Sequence, residues 1–203
     1  MGSQVFPTKN NLMATKKSLA LANLGYDLMD RKRNILVREI MGLLEKSKTI
    51  QNDINIAYAA AYEALDKAHL TMGHCFDCAN CIPVDNSLQI SVRSVMGVEL
   101  PSISIGEADR SFYYGLNATN SMLDEAYIHF DEVKRLTVQL AEIESNVIRL
   151  ADAIKKTQKR TNALSNIMIP KFTSTIKYIS DALDEKERED FSRLKFIKKQ
   201  KRS

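Results

Sequence analysis

The sequence predicts a mainly α protein: a long antiparallel two-helix coiled coil of N- and C-terminal helices, with a small central insert holding a short β-hairpin. Three observations predict it. Breakers are scarce, with 7 glycines and 4 prolines in 203 residues. Apolar residues recur at coiled-coil spacing on both sides of the middle. Between those halves, apolar and polar residues alternate over a short stretch, which is the period of a strand.

The first helix is expected over residues 8–70, which no proline interrupts. A heptad started at Leu12 places Leu12, Leu19, Tyr26, Arg33, Ile40, Ser47, Ile54, Ala61 and Ala68 at one seam position. Thr15, Ala22, Met29, Leu36, Leu43, Ile50, Ala57 and Ala64 fall at the other. Only Thr15, Arg33 and Ser47 among them are polar, although apolar residues make up 44% of the chain. At 1.5 Å per residue such a helix is roughly 90 Å long, the length of a coiled coil and not of a globular helix.

The central insert is expected over residues 71–116. Its hairpin near residues 87–105 reads "SLQISVRSVMGVELPSISI". Leu88, Ile90 and Val92 alternate with Gln89, Ser91 and Arg93, and Val98 and Leu100 follow Gly97. A lone hairpin is marginal in water, so this one is expected to pack on the helices or on a partner.

The second helix is expected over residues 117–200. Its seam runs Val133, Leu136, Leu140, Ile143, Val147, Leu150, Ile154, Thr157, Thr161, Leu164 and Met168. Pro170 then removes a backbone donor and crowds the Asn166 carbonyl, so a kink or break is expected there. Helical spacing resumes at Phe172, Ile176, Ile179 and Leu183, and the basic tail ends in Lys198, Lys199, Lys201 and Arg202.

Composition narrows the function. No apolar run approaches the roughly 20 residues of a membrane helix. The first residues lack the apolar core of a signal peptide, so a cytosolic protein is expected. A net charge of +4 with pI near 8.9 is mild, and the basic runs are short, so nucleic acid is not an expected partner. Phosphate-binding glycine loops and paired Glu-x-x-His helices are missing from the sequence, and His69, His74 and His129 are scattered. No catalytic residue, metal or cofactor is expected.

"HCFDCANC", residues 74–81, is the one stretch that looks like site chemistry. Cys75, Cys78 and Cys81 share the spacing of an iron–sulfur run but lack its fourth cysteine. A structural zinc site takes four ligands, commonly as two separated pairs, and His74 adjoins Cys75 awkwardly for closure. Residues at i, i+3 and i+6 also describe one face of a helical turn, where cysteine packs as a small hydrophobe.

Helix one carries apolar residues off its seam: Leu21, Leu24, Leu28, Ile35, Val37 and Leu44. They either cover a second segment of the chain or mark a surface for a partner, and the second reading is preferred.

Two segments carry a family resemblance, "PTKNNLMATKKSLALANLGYDLMDRKRNIL" at 7–36 and "KRTNALSNIMIPKFTSTIKYISDALDEKEREDFSRLK" at 159–195. Both resemble the D subunit of the V-type/A-type rotary ATP synthases and ATPases, the axle of the central stalk. Pro7, Thr8 and Lys9 stand where the family begins its first helix. Gly25, Leu28, Lys32 and Leu36 fit its Gly-x-x-Leu-Leu-Lys-x-Lys pattern, with Met29 and Asp30 departing from it. Arg160, Asn162, Ala163 and Leu164 fit Arg-x-Asn-Ala-Leu-Glu, with Ser165 in place of Glu. Ile169, Pro170, Thr175, Ile176, Tyr178 and Ile179 follow the Ile-Pro…Thr-Ile-x-Tyr-Ile run, and Glu187, Arg188, Arg193 and Leu194 complete the tail.

The resemblance implies a non-catalytic rotor component. Its termini would enter a hexamer of alternating A and B subunits, and its middle would meet the small F subunit of the stalk and the funnel-like C subunit. It would couple ATP synthesis or hydrolysis to H⁺ or Na⁺ transport from the cytoplasmic face of a membrane, without inserting into it. Arg31, Lys32, Arg33, Arg160, Asn162 and Pro170 are the candidate partner contacts. Two alternatives stand beside this reading: a coiled-coil scaffold with no motor, and a metal-binding protein built on the cysteine cluster.

Overall fold

The computed structural model describes residues 6–106, 113–115 and 119–201. Helix α1 spans Lys9–Met72, and a short helix α2 spans Phe76–Asn80. Strands β1 (Leu88–Val95) and β2 (Val98–Ile105) form the hairpin. Helix α3 (Ser121–Ala163) leads through a π-helical turn (Leu164–Met168) into α4 (Ile169–Gln200). Arg202 of the basic tail, and residues 107–112 and 116–118 of the expected insert and second helix, lie outside the described residues.

Local chemistry sets the ends of α1. Thr8 Oγ1 accepts the Asn11 N–H at 3.2 Å, capping the first turn just after Pro7. At the other end Gly73 has φ +79, and its N–H returns to the His69 carbonyl at 2.9 Å. Only glycine reaches that left-handed conformation without a Cβ penalty, so the helix stops there.

The chain divides into two compact units, Met1–Asn34 with Lys155–Ser203, and Ile35–Ile154. In each unit the helices pair antiparallel, because partners that rise in number on one fall on the other. In the first unit Lys9 pairs with Glu187 at 3.0 Å, and Arg33 meets Gln158 at 3.0 Å. In the second, Tyr62 stacks edge-on against Phe130, and Ala68 clusters with Leu123. Every one of the seventeen heptad positions counted from Leu12 is buried or half-buried. Leu36, Leu100 and Leu150 are fully buried in the second unit, and Ile179 in the first. Each such side chain contributes roughly 1.5–3 kcal/mol relative to an exposed one.

The second seam needs one correction. Met168 is 38% exposed, while Ile169 is half-buried. From Leu164 to Ile169 the seam advances five residues instead of four, and the turn between them is π-helical. The Ile169 N–H reaches back to the Leu164 carbonyl, a bond five residues long. One extra residue in that turn shifts the apolar stripe by one position, so Phe172, Ile176, Ile179 and Leu183 stay on the covered side. Pro170, second residue of α4, follows directly. It donates no backbone bond, and a locally widened turn relieves the crowding its ring would cause.

The hairpin is built around a two-residue loop, since Val95 pairs with Val98. Met96 and Gly97 have φ 51 and 74, the type I′ geometry that matches strand twist. Pro101 pairs with Val92 but cannot donate, so its nitrogen turns away from β1. Residues two away in a strand share that orientation. Helix α3 takes both: the Ile103 N–H donates to Glu142 Oε2 at 3.0 Å, and the Glu99 carbonyl accepts from Arg149 Nη1 at 3.1 Å. Arg93 pairs with Glu39 of α1 at 3.1 Å. Val95, Val98 and Leu100 then pack on Leu36, Leu43, Ile143 and Leu150. The hairpin is thus fastened to the helices of its own unit.

Candidate functional site

The candidate contacts separate by environment. Arg31, Arg160 and Asn162 are exposed, as is Pro170, while Lys32 and Arg33 are half-buried. Arg33, Gln158 and Asn162 form a chain, with Gln158 Nε2 donating to Asn162 Oδ1 at 2.8 Å. Asp30 Oδ1 lies 2.6 Å from Arg33 Nη2. Arg33 and Asn162 are therefore engaged within the first unit. Among the described residues no ion pair holds Arg31 or Arg160, so their charges face outward.

The off-seam apolar residues of α1 are uncovered. In the first unit Leu21 is 69% exposed, and Leu24 and Leu28 continue its stripe along the helix. Ile167 and Met168, turned out by the π turn, are exposed as well. In the second unit Ile35, Val37 and Leu44 are exposed. The end of α4 is different again. From Phe191 to Lys201 it carries Arg193, Lys195, Lys198, Lys199 and Lys201 with no acid, and exposes Phe191, Leu194, Phe196 and Ile197.

The insert presents two further surfaces, both within the second unit. One face of β1 exposes Leu88, Ile90 and Val92. Beside α2 lies a cavity of about 470 Å³ with a mainly apolar lining that includes Leu65, Cys75, Cys78, Tyr114, Tyr127 and Phe130. Tyr114 is its polar anchor: its hydroxyl donates to Asp124 Oδ1 at 2.7 Å, and its ring meets Tyr127 edge-on. Burial, then the bond to Asp124, raises its pKa above the ordinary tyrosine range. A second clasp closes the approach to the hairpin. Lys134 Nζ binds Asp85 Oδ2 at 2.8 Å, and that bond, with help from Ser87, holds the Asp85 carboxyl well below the usual carboxylate range.

Cys75 is buried, Cys78 half-buried and Cys81 exposed. The three do not form one buried face, since exposure rises along the run, and α2 begins only after Cys75 and ends before Cys81. Among the described residues no three His, Cys, Asp or Glu side chains are grouped to hold a metal ion. No helix of the described residues is long and apolar enough to cross a membrane.

The sequence alone assigns no role to Glu142, Arg149, Lys134 or Tyr114. All four act on partners distant in sequence or beyond a loop, and no local pattern signals such pairing. Pro101 alone hints at which edge of β2 turns away from β1.

Residues 11–199 match the model of the family described as the D subunit of ATP synthase. The D subunit of a V-type ATP synthase from Thermotoga neapolitana is 44% identical over 196 residues, covering 96% of this chain and 97% of the relative. The D subunit of an A-type ATP synthase from Methanobrevibacter smithii is 36% identical, covering 95% and 85%. That of Pyrococcus furiosus is also 36% identical, covering 96% and 94%. With a match over nearly the whole chain on both counts, this chain belongs to the D-subunit family of V-type and A-type ATP synthases.

Proposed function

We propose that the chain is the rotor axle of a V/A-type ATP synthase or ATPase, a non-catalytic component that carries torque between a catalytic A₃B₃ hexamer and a membrane ion-translocating ring. The observation that carries the reading is the uncovered apolar stripe of Leu21, Leu24 and Leu28 behind a fully occupied seam. The seam already satisfies the helix pair, so these residues are surplus to folding and fit a bearing surface. Arg31 continues it along α1 with outward charge, and Arg160 adds an exposed charge on α3. The basic, apolar end of α4 suits the same setting, an enclosed socket with acidic and apolar walls. The insert, with its exposed β1 face, is then the portion that meets the F and C subunits.

Native mass spectrometry of this chain mixed with an A₃B₃ hexamer, with and without the F subunit, tests the reading. One copy per hexamer, despite three equivalent A–B pairs, is the expected result. No binding, or three copies per ring, overturns it. Reversing Arg31 and Arg160 to Glu is expected to cut coupled ATPase activity while leaving the isolated chain folded.

A further inference from the structure

All three cysteines of the chain fall between residues 75 and 81, and the rotor reading leaves them unexplained. Their backbone is not uniform. The Cys75 carbonyl accepts the Ala79 N–H at 3.1 Å, an ordinary α-type turn. At the other end of α2 the Cys78 carbonyl accepts the Cys81 N–H, and the Ala79 carbonyl accepts the Ile82 N–H, both at 3.2 Å. Two successive i→i+3 bonds make this end a 3₁₀ turn, in which side chains three apart eclipse. Cys78 and Cys81 therefore leave the backbone on the same side. Their Cα atoms lie within the roughly 7 Å of an i→i+3 turn, about the reach of a disulfide.

Cys75 is the poorer partner for Cys78. It is buried, its turn is the wider α type, and its Sγ lies 3.5 Å from the Gly73 carbonyl. Cys81 is exposed, where a dissolved oxidant reaches it, and Cys78 stands behind it at the edge of the cavity. An exposed thiol followed by a half-buried one is the order that two-step thiol exchange needs.

We propose that Cys78 and Cys81 are a reversible modification site, closing to a disulfide when the chain meets a low-molecular-weight disulfide of the glutathione class. The Cys81 thiolate attacks one sulfur of the small disulfide. A mixed disulfide forms, the small S–S bond breaks, and one thiolate leaves to take up a proton. The Cys78 thiolate then attacks Cys81 Sγ, the protein bond closes, and the second small thiolate leaves. Two protein thiols lose two electrons and two protons, and the small disulfide gains both as two thiols. Because Cys78 packs against the cluster of Ala68, Cys75, Tyr114 and Leu123, closure draws its sulfur toward Cys81 and alters one wall of the cavity. The packing of the insert thereby responds to the thiol state of its surroundings.

The test uses the full chain, equilibrated in mixtures of oxidised and reduced glutathione. The samples are denatured in acid, labelled with one maleimide, reduced, and labelled with a second. Tandem mass spectrometry is expected to find the first label on Cys75 and the second on Cys78 and Cys81, with an intact mass two hydrogens lower before reduction. Cys81→Ser, which exchanges one sulfur for oxygen at an exposed position, is expected to abolish that loss. First label on all three cysteines, first label on Cys81 with closure of Cys75 to Cys78, or persistence of the loss in C81S each overturns the proposal. None of these outcomes depends on assembly with other subunits, so the test is independent of the rotor reading.

Discussion

Arg33 of α1 donates from Nη1 to Gln158 Oε1 of α3 at 3.0 Å, across 125 residues of sequence. Arg33 occupies a heptad position where an apolar side chain is the rule, and it is held from its own helix by Asp30. A polar group at such a position fixes register at a cost in stability. Gln158→Ala is expected to lower unfolding free energy by about 1 kcal/mol, the worth of one partly buried hydrogen bond. Arg33→Leu is expected to leave stability unchanged or raised, since a well-packed apolar residue replaces a half-buried charge. Urea unfolding of both variants decides it, and a large loss in R33L with none in Q158A would reverse the assignment.

The seam of α1 is legible in the sequence because heptad spacing is a local property, and burial of Ile54, Ala61 and Ala68 follows from it directly. The hairpin is legible for the same reason, from the alternation at Leu88, Ile90 and Val92. What the spacing does not reveal is the five-residue step from Leu164 to Ile169, because a π turn has no residue signature beyond the neighbouring Pro170. The surfaces are half legible. Leu21, Leu24 and Leu28 stand out as surplus apolar residues, yet whether another segment covers them is a tertiary fact. The cavity beside α2 is invisible in the sequence, since it joins Leu65, Tyr114 and Phe130 from three parts of the chain.

The π turn and Pro170 are expected to depend on each other. Deleting Asn166 restores a four-residue step and turns the segment α-helical, which places the proline ring against the carbonyl four residues back. The expected cost is about 3 kcal/mol, that of a proline inside a helix. Adding Pro170→Ala to the deletion is expected to recover most of it. Inserting one alanine after Met168 instead rotates α4 by about 100° and turns Ile179 outward, with a loss of about 2 kcal/mol or more expected from its lost burial, that of a buried isoleucine truncated. Thermal unfolding followed by circular dichroism separates the three. Equal stability of the deletion with and without P170A would refute the coupling.

The hairpin loop stores conformational strain at Met96, a non-glycine residue with φ 51. Left-handed backbone costs most side chains about 1–2 kcal/mol, and asparagine or glycine less. Met96→Asn is therefore expected to raise the melting temperature. Gly97→Ala is expected to lower it, although open space surrounds the position where the new Cβ would sit. The penalty there is conformational and not steric contact with neighbours. A rise in stability for G97A would show that the loop abandons its type I′ geometry.

Tyr114→Phe removes the donor that satisfies Asp124 Oδ1 in a partly buried setting. The expected loss is about 1–3 kcal/mol, because a partly buried acceptor is left without its bond. The same pair carries a pH signature. An unfolded tyrosine ionises near pH 10, whereas burial and the Asp124 bond keep Tyr114 protonated to higher pH. A raised pKa contributes stability that is complete below about pH 10 and is lost as pH climbs through the folded value. Wild type minus Y114F is therefore expected to shrink above about pH 10, read from urea midpoints between pH 8 and 11. A difference that stays constant across that range would mean that the hydroxyl acts by packing alone.

Asp85 gives the opposite sign at the acid end. The Lys134 ammonium and the Ser87 backbone N–H hold its carboxyl ionised far into acid, so its folded pKa is depressed. The unfolded aspartate takes its proton near pH 4. A depressed pKa contributes stability that is present above that value and fades as pH falls through the folded one. Asp85→Asn keeps the shape of the side chain but removes the charge that pairs with Lys134. Melting temperatures of wild type and D85N are expected to differ at pH 6 and to converge on approach to pH 2. Because Lys134 also pairs with Asp131 at 2.8 Å, the ammonium keeps one anchor in D85N, and the fold survives the substitution. A gap between the two proteins that persists unchanged at pH 2 would show that the Asp85 contribution is not ionic.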